Sequence, residues 1–309
     1  MAVHNGAAFL REAVDSVLNQ SFGDFEFLIV DDNSNDDSLA ILESYADKRI
    51  VIVRNLENLG LTKSLNKLIR MATGEFIARM DADDVCMANR FEKQIDFFIK
   101  NENVSMCGTF VHFFDEVNFV EIKYPAGHAE IKFKLLFGNQ FAHSTVMWNR
   151  ELFAVNNLYY DETFFQSQDY DLWCRVVQKL TVANVQDFLL KYRMHDKQIS
   201  EIRKDAQNNF SYLIKSRQFA ELGVDFDVAE KFFLSDIASL NLTKKSLLHF
   251  MIDFHSIVKI LYFKNLESNI YSSKVIFKYA NSVLFDLVIK HPRIVFFRSF
   301  WKVLYLNLS

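Results

Sequence analysis

Three carboxylates stand close together in the segment RMDADD at residues 79–84, namely Asp81, Asp83 and Asp84. Hard divalent cations such as Mn²⁺ and Mg²⁺ bind carboxylate oxygens and share their other coordination positions with substrate phosphates. The cluster therefore favours a site for a metal and a diphosphate. Acidic loop residues also occur as solvated turns or helix caps, so the motif alone leaves both interpretations open.

The elements that must position this cluster follow from the apolar periodicity. Short runs rich in Val, Ile and Phe predict strands at Phe25–Val30, Ile50–Val53, Glu75–Met80 and Met106–His112. Amphipathic runs predict helices at Phe9–Leu18, Ser38–Tyr45, Leu61–Met71 and Arg90–Ile99. Alternating strands and helices predict parallel pairing through right-handed crossovers. Ligands bind beyond the carboxyl ends of such strands, where Asp31, Asp32 and the RMDADD segment fall.

Strand patterns stop after about residue 205, and helical patterns follow at residues 206–223, 226–239 and 245–263. We therefore predict a catalytic α/β domain over residues 1–205 and a helical region over residues 206–309. Only about three residues precede the turn His4-Asn5-Gly6. We expect that the chain starts within the first strand, through a missed start codon or a truncation.

The net charge and the cysteine spacing indicate which partners, bound ions and compartment to expect. The net charge of −4 provides no basic footprint for nucleic acid. Residues 244–309 carry +7, which leaves −11 for residues 1–243, so a cation is expected in the first part and an anionic surface beside the second. Cys86, Cys107 and Cys174 are widely spaced, which argues against a disulfide framework or a zinc site. With no signal peptide or long apolar run, the sequence predicts a cytoplasmic protein.

Five segments, taken together, resemble the family-2 glycosyltransferases of bacterial polysaccharide assembly. They are AVHNG at 2–6, FLIVDDNS at 27–34, NLGL at 58–61, MDADD at 80–84 and QDYDLW at 168–173. The resemblance implies a GT-A fold, an α/β architecture with a mixed, mostly parallel sheet flanked by helices and a helical C-terminal extension. It also implies an inverting transferase. Such an enzyme would move a sugar from a nucleotide-diphospho-sugar, with uridine as the expected base, to a hydroxyl of a glycan or lipid-linked acceptor in surface polysaccharide biosynthesis.

The same resemblance implies a donor site on the loops that follow the strands. His4 and Asp31 would hold the nucleobase, Asp81 would contact the ribose, and Asp83 would bind Mn²⁺ or Mg²⁺ and through it the diphosphate. His195 would complete the metal shell. Further donor contacts are assigned to Asn5, Asp32, Asn58, Lys63 and Gln198. The alternatives are a turn residue without a ligand for His4, where the family usually has tyrosine, a structural role for His195, and a solvated helix face for Lys63 and Asn66.

On the acceptor side the resemblance assigns the catalytic base to Asp169. Its neighbour is Gln168 where the family usually has glutamate, and the loss of that charge predicts a lower pKa for Asp169. Asp169 and Asp171 could instead cap a helix over Tyr170–Lys179. His143, which precedes a predicted strand, is assigned to the acceptor loop.

Two other enzyme classes require patterns that differ from this one. A phosphohydrolase of the haloacid dehalogenase type needs its aspartate motif after the first strand, and a dinucleotide oxidoreductase needs a glycine-rich turn there. Neither pattern is present. A catalytically impaired relative that binds a nucleotide or partner remains the alternative, because of the short first strand, His4 and Gln168. Aromatic and basic residues interleaved over residues 290–305 favour peripheral contact with an anionic membrane at its cytoplasmic face, with core packing as the other interpretation.

Overall fold

A computed structural model describes residues 1–115, 117–196, 198, 203–223, 271, 274–276, 278 and 280. Its first elements are β1 (Ala2–Val3), α1 (Ala7–Leu18), β2 (Phe27–Asp31), α2 (Ser38–Glu43), β3 (Ile50–Arg54), α3 (Leu61–Met71), β4 (Phe76–Ala78), β5 (Val85–Cys86) and α4 (Arg90–Lys100). They are followed by β6 (Met106–Phe114), β7 (Phe119–Ile122), α5 (His128–Lys134), β8 (Met147–Asn149), α6 (Arg150–Val155), α7 (Gln168–Val176), β9 (Val182–Arg193) and α8 (Lys204–Glu221). The predicted strands and helices up to residue 114 are present, with ends shifted by a few residues.

The helices and strands form where the apolar spacing demands burial. In α1 the residues Leu10, Ala13, Val14 and Val17 are buried and recur three or four positions apart, so one face of the helix packs into the core. In β2 four of the five residues are buried, as expected for a strand covered on both faces. The core therefore lies between the sheet and its helices, and the polar loops are left at the strand ends.

Two sheets are formed. The first has the order β1-β2-β3 and is parallel throughout, as predicted. The second has the order β4-β8-β6-β9-β5, with β7 on β6, and among these pairs β6 and β9 are parallel while the others are antiparallel. Parallel pairing was therefore wrong for β4, which pairs antiparallel with β8. That partner lies about 70 positions away along the chain, so local alternation could not reveal it.

Two compact units are distinguished. One comprises Met1–Ile131 with Asn139–Phe210, and it contains both sheets. The other takes Lys132–Gly138 and the described residues from Ser211 onwards, where the rings of Phe133 and Tyr271 meet edge to face at 5.7 Å. The first helix predicted after residue 205 is seen as α8, and the boundary itself stays a prediction. The later predicted helices and the membrane-contact segment lie outside the described residues.

Two further sequence expectations concern cysteines and membrane spans. Cys86, Cys107 and Cys174 are all buried and unbridged, so no disulfide links them. Within the described part of the chain, no helix has the length and apolar composition needed to cross a bilayer.

Candidate active site

The acidic cluster after β4 is compact. The carboxylates of Asp81, Asp83 and Asp84 each offer an oxygen within 4.8 Å of the others. The Ser144 hydroxyl lies between two of them, 2.7 Å from Asp81 Oδ2 and hydrogen-bonded to Asp84 Oδ2. Asp84 Oδ1 also accepts the backbone N–H of Arg193 at 2.9 Å. Asp84 is fully buried and both of its carboxylate oxygens accept hydrogen bonds, whereas Asp83 is half-buried.

Histidine 195 joins the cluster at Asp83. Its Nε2 lies 3.1 Å from Asp83 Oδ2, and its ring packs on Phe9 with centroids 4.7 Å apart. The buried Nδ1 has no hydrogen-bond partner among the described residues. Gln198 holds the turn after β9, since its side-chain oxygen accepts the backbone N–H of His195 at 3.3 Å. The structure thus brings the two predicted metal ligands together.

The three carboxyl groups of the cluster differ in the direction of their pKa shifts. Although burial opposes ionisation, the Arg79 guanidinium lowers the pKa of Asp81 to about 2. Burial raises the pKa of Asp83, and the Asp81 charge adds to that shift. Burial and the charges of Asp81 and Asp83 raise the pKa of Asp84 well above its ordinary value. A bound cation would relieve this repulsion, and carboxylate oxygens with an imidazole fit Mn²⁺ or Mg²⁺.

Asp32 stabilises the loop that follows β3. It is buried, and its Oδ1 accepts from the Asn55 side chain at 2.7 Å and the Leu59 backbone at 2.9 Å. Its Oδ2 accepts the backbone N–H of Gly60 at 2.8 Å. Gly60 has φ +83°, a conformation that favours glycine, and it directly precedes α3. Asp32 therefore fixes the loop 55–60 that carries Asn58, whose Oδ1 also accepts the Gly60 N–H.

Asp31, its neighbour, is arranged differently. It is fully buried, its Oδ2 accepts a long hydrogen bond of 3.4 Å from the Ser34 backbone, and its Oδ1 has no partner among the described residues. A buried carboxylate oxygen without a donor is costly unless a ligand supplies one. The predicted nucleobase contact at Asp31 is compatible with this geometry.

The loop after β1 lies beside the acidic cluster. His4 Nδ1 is 3.0 Å from the backbone oxygen of Asp32, and Asn5 Oδ1 accepts the Asn35 N–H at 2.8 Å. A Cβ placed on Gly6 would lie 3.7 Å from the Cβ of Ala82, so the donor loop and the acidic loop are in contact. The loops that carry His4, Asn5 and Asp31 therefore border the Asp81–Asp84 loop.

Two residues of α3 behave differently from each other. Lys63 is exposed, as a solvated helix position would be. Asn66 is buried and donates to the Tyr160 backbone oxygen at 2.8 Å, while its own oxygen accepts the Tyr160 N–H at 3.1 Å. The solvated helix face considered for Asn66 is wrong, because this side chain is buried. The Asn66 side chain instead joins α3 to the loop that carries Tyr160.

Asp169 lies in the first turn of α7 and is half-buried. Its Oδ2 accepts from the Asn139 side chain at 2.7 Å. Burial raises the pKa of Asp169, although the Tyr170 backbone N–H and the Arg79 charge oppose the shift. The lower pKa predicted from Gln168 considered one contribution only, and burial outweighs it. Asp171 instead forms an ion pair with Arg175 at 2.8 Å within the helix.

His143 belongs to the same side of the site. Its Nε2 lies 2.7 Å from the Tyr160 hydroxyl, and burial together with the Arg79 charge holds the pKa of His143 well below its ordinary value. Burial raises the pKa of Tyr160, and the charges of Asp81 and Asp169 add to it while Arg79 opposes it. The segment that carries His143 also contacts both groups of carboxylates, since Asn139 donates to Asp169 and Ser144 is hydrogen-bonded to Asp81 and Asp84.

Sequence reasoning missed the residues that hold this site together. They are Arg79, Asn139 and Tyr160. Arg79 could have been noticed, because a cation two positions before the acidic run is a natural partner for it. Asn139 and Tyr160 offered no signal, since Asn139 meets Asp169 across 30 positions of the chain and Tyr160 meets His143 across 17.

A cavity of about 640 Å³ lies elsewhere, between residues of β2, β4, α3 and α4. Its lining includes Arg79 and Tyr160 but none of Asp81, Asp83 and Asp169. Most of the remaining lining side chains are apolar. The candidate site is therefore identified by its carboxylates and their contacts, and not by the size of this cavity.

Residues 1–155 match the model of the family described as Glycosyl transferase family 2. The chain is 35% identical over 224 residues to an uncharacterised glycosyltransferase of Methanocaldococcus jannaschii, covering 69% of this chain and 75% of that one. It is 35% identical over 205 residues to the O-antigen biosynthesis glycosyltransferase WbnJ of Escherichia coli, covering 64% and 79%. It is 27% identical over 242 residues to the E. coli UDP-Glc:alpha-D-GlcNAc-diphosphoundecaprenol beta-1,3-glucosyltransferase WfgD, covering 78% and 87%.

Solved structures show the fold. S. aureus TarS 1-349 in complex with UDP matches with a TM-score of 0.57 at 15% identity, over 91% of this chain and 86% of that one. The mannosyltransferase PcManGT of Pyrobaculum calidifontis, in complex with GDP-Man and Mn²⁺, matches with a TM-score of 0.53 at 14% identity, over 99% and 85%. These likenesses confirm the predicted mixed α/β, GT-A-like architecture.

Proposed function

Because this chain belongs to glycosyl transferase family 2, we propose that it transfers a hexosyl or N-acetylhexosaminyl group, with inversion, from a UDP-sugar to a glycan or lipid-linked acceptor. The chain is a glycosyltransferase that uses a nucleotide sugar, and its relatives point to polysaccharide biosynthesis. One observation carries the finer proposal. The segment 139–144 contacts both the acidic cluster and the separate carboxylate Asp169, because Ser144 is hydrogen-bonded to Asp81 and Asp84 and Asn139 donates to Asp169 at 2.7 Å.

The donor assignments are supported from two sides. TarS has been solved with UDP and PcManGT with GDP-Man and Mn²⁺, which supports a nucleotide diphosphate and a divalent cation here. In this chain Asp83 and His195 would hold the cation, which as a Lewis acid would stabilise the charge that develops on the departing diphosphate. Asp31 would accept a hydrogen bond from the base, since its buried Oδ1 lacks another donor among the described residues.

The acceptor assignments depend on Asp169. Asn139 occupies its Oδ2, so Oδ1 is the oxygen that would take the proton of the attacking hydroxyl. The hydroxyl oxygen would bond to the anomeric carbon as the bond to the diphosphate breaks, in one displacement that inverts that carbon. A base with a raised pKa accepts a proton more readily near neutral pH. The relative WfgD is named for a diphosphoundecaprenol acceptor, which supports a lipid-linked acceptor for this chain.

We also propose that the protein attaches to a membrane surface. The basic segment at residues 244–309 would attach the protein to an anionic bilayer from the cytoplasmic side, where a lipid-linked acceptor can be reached. Co-sedimentation of the full chain with vesicles that contain anionic lipid tests this. Equal sedimentation with neutral vesicles would contradict the electrostatic attachment.

The catalytic proposal is tested with Asp169→Asn. Removal of a general base typically lowers turnover by roughly 10²- to 10⁴-fold, and we expect a loss in that range with UDP affinity nearly unchanged. The exposed Asp96→Asn, whose carboxylate makes one 3.9 Å surface ion pair, is the matched control. Full activity in Asp169→Asn would contradict the base assignment. Nucleotide binding without hydrolysis or transfer by the unaltered chain, across a panel of nucleotide sugars with Mn²⁺, would favour the impaired relative.

The pH profile gives a second measure of the same group. Asp169 acts as a base only when deprotonated, so turnover is present above its pKa and is lost as the pH falls through it. Because burial raises this pKa, the loss should begin at a higher pH than for an ordinary carboxyl. The residual turnover of Asp169→Asn should lack this acid limb.

A further inference from the structure

Arg79 is a buried cation beside the acidic cluster. Its side chain is 4% exposed, it forms an ion pair with Asp81, and its Nη1 donates to the Ser144 hydroxyl at 3.0 Å. Its backbone is held on both sides, because its N–H donates to the Val146 oxygen at 2.9 Å and its own oxygen accepts from Arg90 at 2.9 Å. The guanidinium is therefore fixed before any ligand arrives.

Arg79 and Ser144 together hold two of the three carboxylates, Asp81 and Asp84. Ser144 contacts both Asp81 and Asp84, and Arg79 contacts Ser144 and Asp81. Asp83 has no contact with either residue in this network and faces His195 instead. Of the three carboxylates, Asp83 is therefore the one that is held by neither Arg79 nor Ser144.

We propose that Arg79 is a positioning residue with two effects on that cation: it holds Asp81 and Ser144 in the geometry needed for transfer, and its charge weakens the attraction of the cluster for the cation. The inference rests on the proposed function, because it concerns a cation that serves sugar transfer. Since Arg79 is buried, it acts through its neighbours rather than by touching the donor. A positively charged group this close repels a divalent cation, and the low local polarity strengthens that repulsion.

The two effects predict opposite changes when the charge is removed. Arg79→Met keeps much of the side-chain volume but loses the charge and the hydrogen bond. Mn²⁺ should bind the donor-free chain roughly tenfold more tightly, because one repelling charge is gone from its surroundings. Turnover should fall by roughly 10- to 100-fold, because Asp81 and Ser144 lose their common partner. A residue needed only for folding would lower Mn²⁺ affinity and turnover together.

Two further variants separate charge from geometry. Arg79→Lys keeps the charge without the forked guanidinium, and Ser144→Ala keeps the charge but removes the bridging hydroxyl. Both should retain Mn²⁺ affinity within about threefold while turnover falls, since the repelling charge remains. Arg49→Met is the matched control, because Arg49 pairs with Asp47 outside the acidic cluster and should change neither quantity.

The measurements are Mn²⁺ titration of the full chain by calorimetry, without nucleotide, and turnover of a UDP-sugar at saturating Mn²⁺. Tighter Mn²⁺ binding with lower turnover in Arg79→Met supports the inference. If Arg79→Met does not fold, unchanged Mn²⁺ affinity with reduced turnover in Arg79→Lys and Ser144→Ala supports it. A parallel fall of both quantities, or no change in turnover, overturns it while the proposed function stands. An unaltered chain that neither binds Mn²⁺ nor cleaves a nucleotide sugar overturns the proposed function itself.

Discussion

The aspartates at the end of β2, Asp31 and Asp32, and those after β4 are both groups of acidic residues at strand ends, yet they are stabilised in different ways. Asp32 is held by three neutral N–H donors, from Asn55, Leu59 and Gly60. Asp81 is held by a cation, Arg79. The other carboxylates differ again, since Asp31 Oδ1 has no hydrogen-bond partner among the described residues, whereas Asp83 contacts His195.

This difference separates two kinds of recognition. A buried carboxylate with only one long backbone hydrogen bond, such as Asp31, would suit a hydrogen-bond donor on a flat base. A group of carboxylates only partly neutralised by Arg79 suits a divalent cation. Aspartates at these two strand ends therefore differ in their neighbours, and the neighbours determine what each carboxylate can bind.

The largest expected effect is at Asp83, in the acidic cluster after β4. Asp83→Ala should lower turnover of a UDP-sugar by roughly 10³-fold, because the stabilisation of the leaving diphosphate would be lost. Mn²⁺ binding by calorimetry should weaken in parallel. Asp96→Ala serves as the exposed control. Turnover within tenfold of the unaltered chain would show that the two clusters do not differ in the proposed way.

At the end of β2, replacement of Asp32 is expected to lower stability rather than turnover. Asp32→Ala leaves three donors without their acceptor, and should lower the free energy of unfolding by about 3 kcal/mol. Urea denaturation measures this, with Asp24→Ala as an exposed control. If Asp32→Ala instead unfolded like the unaltered chain but no longer bound UDP, the structural assignment of Asp32 would be wrong.

The smallest effect is expected at Asp31. Asp31→Asn keeps the shape of the side chain but removes its charge, so UDP should bind roughly tenfold more weakly, as for the loss of one hydrogen bond to a charged group. Mn²⁺ affinity without nucleotide should not change. Reduced Mn²⁺ affinity in this variant would mean that the two clusters form a single electrostatic unit.

The fold was predictable from sequence as far as local periodicity extends. The α3 bounds, Leu61–Met71, match the prediction, because amphipathic spacing and Gly60 mark the helix directly. A strand was predicted directly after His143, but its pairing with β4 was not, because β8 has only three residues and lies about 70 positions further along the chain. Pairing between such short strands is decided by which surfaces remain to be covered after the helices pack.

The sequence by itself determined which chemical groups are available and roughly where they lie, since Asp31, Asp83 and Asp169 occur at predicted strand and helix ends. Only the tertiary structure decided which carboxylates are committed to the fold and which keep an oxygen for a ligand. Ser144 and Arg193 reach Asp84 from 60 and 109 positions away. Hydrogen bonds and charges act over a few ångströms in space, whereas periodicity reports only on neighbours along the chain.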